Sequence, residues 1–283
     1  MAPLILITND DGIRSPGIAA LIQALAPLGE IRVVAPSRQQ SAVSHKITLG
    51  EPLRMRTEKD GRVAVSGTPV DAVFMAMHQL LPRKPDLVIS GINLGLNLGT
   101  DVFYSGTFAA AAEAALKGVA AIAVSQQLPI ASQSEPHEEG PGHINWADAM
   151  QGEDLRLGEL LAHTALFTAR LAEELLGRNE PLPPLTALNV NAPATLSTSY
   201  RVTRVGARVY RGEVITRRDP RGIPYYWIGG PALDRPEPIG TDAKAIQDGL
   251  ISVSPLRLDW TAIDLLDQQL SISGFDAEVE AQG

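Results

Sequence analysis

Apolar positions fall into two recurring patterns along the chain. Leu4-Ile5-Leu6-Ile7 is an unbroken apolar run rich in branched residues, the mark of a strand buried on both faces. From Ser15 to Leu28 the apolar residues Ile18, Leu21, Ile22, Leu25 and Leu28 recur at helical spacing, with Pro16 suited to the first turn. Ile31–Ala35 is a second buried strand that Pro36 stops. Strand, helix and strand in such quick succession predict a βαβ unit with parallel strands.

The alternation continues. Leu53 to Val65 holds two short alternating segments around Lys59-Asp60-Gly61, a predicted hairpin. A helix is predicted from Val70 to Leu81, capped by Thr68 with Pro69 at its first position. Asp86–Ser90 reads as a buried strand and Gly91–Thr107 as a loop. An alanine-dense helix (Thr107–Lys117) and a strand (Val119–Ser125) follow. Residues 129–152 are polar and aperiodic, a predicted surface insertion. Leu155–Leu176 is an amphipathic helix and Thr186–Asn191 a strand. From Tyr200 short β-prone pieces appear at 201–210, 212–216 and 224–230. Then come a helix (241–250), a strand (251–255), a short helix (261–270) and a fraying tail.

The totals narrow the function classes. A chain of 283 residues with 45% hydrophobic and 20% charged residues suits one large α/β domain, or one domain with a substantial extension. The net charge of −8 leaves no global basic field to recruit a nucleic-acid polymer. An anionic substrate then needs a local positive centre, which a metal supplies. With no cysteine, disulfides and thiolate metal sites are excluded. The first residues lack a basic segment and carry too short an apolar run for a signal peptide, and no run approaches the roughly 18 residues of a membrane span. The expectation is a cytoplasmic protein with no membrane partner.

Candidate chemistry gathers at strand ends. Asp10, Asp11 and Gly12 follow the first strand, and in an open α/β sheet ligands bind beyond the carboxyl ends of the strands. Two carboxylates there suit a hard divalent cation; they equally suit a turn whose acids cap the next helix. Ser37–Thr48, which includes Ser41 and His45, leaves the same rim and is either a plain surface loop or a wall of the site. His45 is a candidate phosphate contact and general acid. The loop Gly91–Thr107 places Asn93, Asn97, Asp101, Ser105 and Thr107 among glycines, side chains and amides that suit phosphate oxygens. It is neither a Walker loop nor a dinucleotide fingerprint. Glu113 reads as a solvent-facing or capping acid before it reads as one that approaches the site, and His137 and His143 are not read as metal ligands. Tyr225, Tyr226 and Trp227 suit a subunit interface more than a base-stacking platform. Two carboxylates, a hydroxyl and an amide oxygen favour Mg²⁺, Mn²⁺ or Ca²⁺ over zinc, and with open ligand positions they describe phosphomonoester hydrolysis.

The segments ILITNDDGIRSPGI, VVAPSRQQSAVSHKITL, VSGTPVDAV, PDLVISGINLGLNLGTDVFYSGTFAAAAEA, LNVNAP, YYWIGG and TDAKAIQDGLISVSPLRLD together resemble the SurE family of survival-protein phosphatases. The combination of NDDG, SGIN-x-G-x-NLG and YSGT is what makes the resemblance specific. It implies a Rossmann-like three-layer α/β core with a mostly parallel sheet over residues 1–198, and a C-terminal β-rich extension over 199–283 used in oligomerisation. It implies a 5′/3′-nucleotidase acting on nucleoside monophosphates, and one divalent ion, Mn²⁺ or Mg²⁺, on Asp10, Asp11, Ser41 and Asn93. Asn97 and Ser105-Gly106-Thr107 match positions near the bound phosphate. A homodimer or homotetramer is implied as well. Residues Ser37, Gln39 and Gln40 and the segment 129–152 depart from the family pattern. A phosphatase for short polyphosphate and a non-catalytic nucleotide-binding module are the other readings of the same residues.

Overall fold

The first strand, β1 (Leu4–Thr8), leads through α1 (Pro16–Leu25) into β2 (Glu30–Pro36), as the apolar periodicity predicts. The computed structural model describes residues 2–129, 154–207, 212–229 and 237–262. All but the first two residues of the predicted helix 261–270, nearly all of the insertion 129–152 with His137 and His143, and the tail lie outside these. A hairpin of β3 (Met55–Thr57) and β4 (Val63–Val65) is followed by α2 (Pro69–Met75) and β5 (Leu87–Leu94). Then come α3 (Gly106–Leu116), β6 (Ala120–Gln126), α4 (Asp154–Gly177) and β7 (Thr186–Ala192). The C-terminal part supplies β8 (Tyr200–Val202), β9 (Glu213–Arg218), β10 (Pro224–Gly229), α5 (Asp242–Gln247) and β11 (Ile251–Arg257).

One nine-stranded sheet carries the order β3-β4-β2-β1-β5-β6-β7-β11-β8. From β4 to β7 the strands are parallel; β3 and β11 run antiparallel to their inner neighbours. The chain turns outward from β1 to β2 and β4, then returns to lay β5 on the other side of β1. The switch point therefore lies between β1 and β5, and a crevice opens there beyond the strands' carboxyl ends.

Side-chain alternation assigns the two faces. Ile5 and Ile7 pack with Ile18, Leu21 and Leu25 of α1 and with Leu157 and Leu161 of α4. Leu6 faces the other way, among Ala72 and Val73 of α2 and the alanines of α3. The pattern of two is what a strand covered on both faces requires. Each fully buried Ile or Leu contributes roughly 1.5–3 kcal/mol of transfer free energy. Ala110, Ala111 and Ala114 of α3 share a cluster with Ala121 and Ala123 of β6, so small residues on both sides allow the helix close to the sheet.

Three elements differ from expectation. β5 does not end at Ser90 but runs to Leu94, with a register shift between Ser90 and Asn93 before Asn93 pairs with Ser125. Ile92 and Leu94, two apart and buried, extend the strand where Gly91 and Gly95 suggest a loop. Gly17 of α1 permits this: a Cβ there would stand 2.1 Å from the Ile92 carbonyl oxygen. The predicted helix to Leu81 is α-helical only to Met75 and continues as a π-helical turn, Ala76–Leu80. Within the C-terminal residues, β8 and β11 join the core sheet, whereas β9 and β10 form a separate two-stranded sheet. Tyr225 and Trp227 of that hairpin meet edge to face at 6.4 Å, and Val214, Tyr226 and Ile228 are exposed. Among the described residues no helix is long and apolar enough to cross a membrane.

Candidate active site

The turn after β1 is braced by a residue that the sequence pattern passes over. Asn9, fully buried, donates from Nδ2 to the Gly12 carbonyl and accepts from the Gly12 amide, both at 3.1 Å. Gly12 has φ +100° and lies against the Arg38 backbone, so a side chain here would be strained and crowded. This brace holds Asp10 and Asp11 beyond the strand end.

Both acids are buried, 6% and 7% exposed. Asp10 accepts from Thr107 twice: its Oδ1 from the hydroxyl at 2.5 Å and its Oδ2 from the backbone amide at 3.1 Å. Asp11 Oδ2 accepts from the Leu94 amide at 3.2 Å. Burial pushes the Asp10 carboxyl up, against the lowering effect of the Thr107 hydrogen bonds. Burial first, and the neighbouring Asp10 charge second, push Asp11 up to about 8. Two acids so placed repel each other and are deprived of water, a condition that a bound cation relieves. The capping alternative does not describe them. The N-cap of α1 is Ser15, whose hydroxyl accepts from the Gly17 amide at 3.2 Å.

Asn93 sits at the end of β5, beside Asp11's partner Leu94. Its Nδ2 donates to the Gly95 carbonyl at 2.8 Å, which orients the amide and leaves Oδ1 without a hydrogen-bond partner among the described residues. Ser41 is exposed and receives a 3.0 Å hydrogen bond from Gln39 Nε2. Its loop is pinned beside the acids, since the Gln40 amide donates to the Asp10 carbonyl at 2.7 Å. Further along, the Ser44 amide donates to the Tyr104 carbonyl at 3.1 Å, and Thr48 binds the buried Asp71 through both its amide and its hydroxyl. Asp71 also closes a capping box with Thr68. The loop Ser37–Thr48 is thus fixed to three parts of the core.

The α3 N-terminus presses directly on Asp10. A Cβ on Gly106 would stand 2.9 Å from Asp10 Cβ and 3.2 Å from Val43 Cγ2, so this position requires glycine. Ser105 caps the helix, accepting from the Phe108 amide at 3.0 Å. Thr107 gives both of its donors to Asp10. Asn97 is stitched to the sheet: its Nδ2 donates to Ser125 Oγ at 2.8 Å, its amide to Asn191 Oδ1 at 2.8 Å, and its carbonyl accepts from Asn189 and Asn191. Two residues further on, the Gly99 amide donates to Asp242 Oδ2 at 2.7 Å, so α5 helps to hold this loop.

His45 Nε2 lies 3.0 Å from Glu113 Oε2. Glu113 is neither solvent-facing nor a cap: its side chain is 8% exposed and also meets Lys117 at 3.3 Å. Asn9, Asp71, Asn191 and Asp242 lie within the resembling segments, but the sequence pattern gives none of them a role at the site. Only Asp71 carries a local signal, the Thr68-Pro-Val-Asp71 spacing of a capping box.

Among the described residues no three of His, Cys, Asp and Glu converge as a metal cluster. A cation held at the Asp10–Asp11 pair would find no third acid or histidine clustered with them among the described residues, and would complete its shell with neutral oxygens. Oxygen donors with few carboxylates fit Mg²⁺ or Mn²⁺.

The family model described as "Survival protein SurE" matches residues 5–212. A protein of Pelobacter propionicus named 5′-nucleotidase SurE is 47% identical over 260 residues, covering 91% of this chain and 94% of its own length. A protein of Sorangium cellulosum with the same name is 45% identical over 264 residues, covering 92% and 91%. The crystal structure of the SurE protein from Aquifex aeolicus superposes with a TM-score of 0.74 at 36% identity, over 94% of this chain and 98% of that one.

Proposed function

The chain belongs to the SurE family, and from that premise we propose that it is a divalent-metal-dependent nucleotidase, hydrolysing nucleoside 5′- and 3′-monophosphates to nucleoside and phosphate. The observation that carries the proposal is the buried Asp10–Asp11 pair at the switch point of the sheet. Such a pair is unfavourable unless a cation neutralises it. Asp10, Asp11, Ser41 and Asn93 are the proposed ligands of one Mn²⁺ or Mg²⁺. The ion supplies a Lewis acid for a phosphoryl oxygen and lowers the pKa of a bound water.

The remaining steps belong to the chain's own residues. Thr107 fixes Asp10 through both oxygens and the Leu94 amide fixes Asp11, so that neither carboxylate must reorganise on binding. The N-terminal turn of α3, at Ser105, Gly106 and Thr107, offers a helix terminus to the phosphate. Asn97 and His45 complete the proposed phosphate surroundings. A carboxylate of the Asp10–Asp11 pair accepts the proton of the attacking water, which is their catalytic role. The C-terminal extension, with the exposed hairpin β9–β10, is the proposed contact in a homodimer or homotetramer.

A panel of nucleoside 5′- and 3′-monophosphates, with short polyphosphate beside it, tests this reading in EDTA and after Mn²⁺ or Mg²⁺ add-back. Metal-dependent phosphate release from the nucleotides is expected. No release at any metal concentration sinks it.

A further inference from the structure

Glu113 is a carboxylate on the buried side of α3, flanked by the buried Ala112 and Ala114. An acid in such a place needs partners. It has two. Oε2 lies 3.0 Å from His45 Nε2 and Oε1 lies 3.3 Å from Lys117 Nζ. The Lys117 ammonium in turn stands 5.6 Å from the centroid of the Phe74 ring. Burial alone raises Glu113, but the hydrogen bond from His45 and the Lys117 charge outweigh it and hold the carboxyl below its ordinary value. Glu113 is therefore ionised at neutral pH and only accepts hydrogen bonds.

That fixes the histidine. Facing an acceptor-only oxygen, His45 Nε2 must carry its hydrogen, so Nδ1 is the nitrogen that takes up and gives away a proton. The His45 side chain is 40% exposed, which leaves the ring open to solvent or substrate. Its loop runs along α3. Val43 abuts Gly106, Ser44 binds the Tyr104 carbonyl, and His45 reaches Glu113. From Thr107, which holds Asp10, to Glu113 is about 9 Å along the helix axis. Of the other charged groups nearby, Asp71 of α2 is committed to Thr48 and Thr68, and Lys117 to Glu113.

We propose that Glu113 is a positioning residue that presents His45 Nδ1 as the proton donor to the leaving alcohol; the inference rests on the phosphomonoesterase reading above. In the step, water oxygen forms the new bond to phosphorus and the P–O ester bond breaks, its electron pair staying on the ester oxygen. That oxygen receives the proton from imidazolium Nδ1. The water's proton passes by way of the carboxylate pair to solvent, and solvent reprotonates His45.

A comparison of leaving groups tests this with the intact protein and Mn²⁺. AMP releases a basic alkoxide that needs a proton, whereas 4-nitrophenyl phosphate releases a phenolate stable enough to depart without one. Glu113→Gln and His45→Asn are each expected to lose about 100-fold in kcat on AMP, but no more than about tenfold on 4-nitrophenyl phosphate, since the proton donor matters only to the basic leaving group. Parallel losses on both substrates, or AMP turnover within threefold of the parent protein, overturn the proposal. Thermal melts establish that each variant folds, and if Glu113→Gln does not, the half-exposed His45→Asn decides alone. A parent protein that releases no phosphate from AMP marks failure of the nucleotidase reading instead.

Discussion

Thr107 grips Asp10 by both carboxylate oxygens, through its hydroxyl at 2.5 Å and its backbone amide at 3.1 Å. This one residue couples the start of α3 to the end of β1. It also means that in this structure Thr107 serves an acid before it serves a phosphate. Partners that orient a metal ligand affect affinity almost as strongly as the ligand itself.

Thr107→Val keeps the shape and the amide but deletes the hydroxyl. The metal concentration for half-maximal activity is expected to rise about 10- to 100-fold. Thr107→Ser, which restores the donor, should recover most of the affinity. A Mn²⁺ titration of phosphate release checks both, and equal behaviour of the Val and Ser variants would count against the coupling.

Asp10→Asn and Asp11→Asn separate folding from function. Each is expected to lose most phosphate release while remaining folded, because each removes one of two mutually repelling buried acids. Melting in EDTA should show either variant at least as stable as the parent. A variant with full turnover would remove the acids from the mechanism.

The pH dependence of the metal-free protein follows from Asp11, held up to about 8 by burial and by Asp10. Its folded value lies above the unfolded value of about 3.9, so the folded state binds the proton more tightly. Its contribution to stability is then present below about pH 4 and is lost as pH rises toward 8. Melting temperature in EDTA should fall between pH 5 and 9, and added Mn²⁺ should raise it most at the alkaline end. Asp11→Asn should flatten both trends.

Asp242 is fully buried and accepts from the amides of Gly99 at 2.7 Å and Gly206 at 2.9 Å. Asp242→Ala orphans these donors and should cost about 2–4 kcal/mol by urea denaturation. Because Gly99 closes the loop that carries Asn97, KM for the nucleotide should rise as well. Unchanged stability would mean that the loop finds other partners.

The residues that local chemistry governs were legible along the chain. Continuous branched runs mark β1 and β2, spaced apolar residues mark α1 and α4, and Asp10 and Asp11 fall beyond the end of β1 as the βαβ order requires, whereas Asn93, expected past a strand end, lies inside β5. Where a glycine stood for close packing rather than a turn, local reading stopped short: Gly91 suggests a loop, yet β5 continues through it because Ile92 and Leu94 have a core to enter. The same holds for C-terminal pieces, since nothing in residues 251–257 says that β11 will run antiparallel beside β7. Glu113 shows the limit most plainly. In sequence it is one acid on an alanine helix, indistinguishable from a solvated one. Only the approach of the loop holding His45, 68 residues away, makes it a buried, paired carboxylate. Periodicity and propensity depend on near neighbours and are written into the chain directly. Burial and charge pairing depend on which distant surfaces meet, and that the packed fold alone decides.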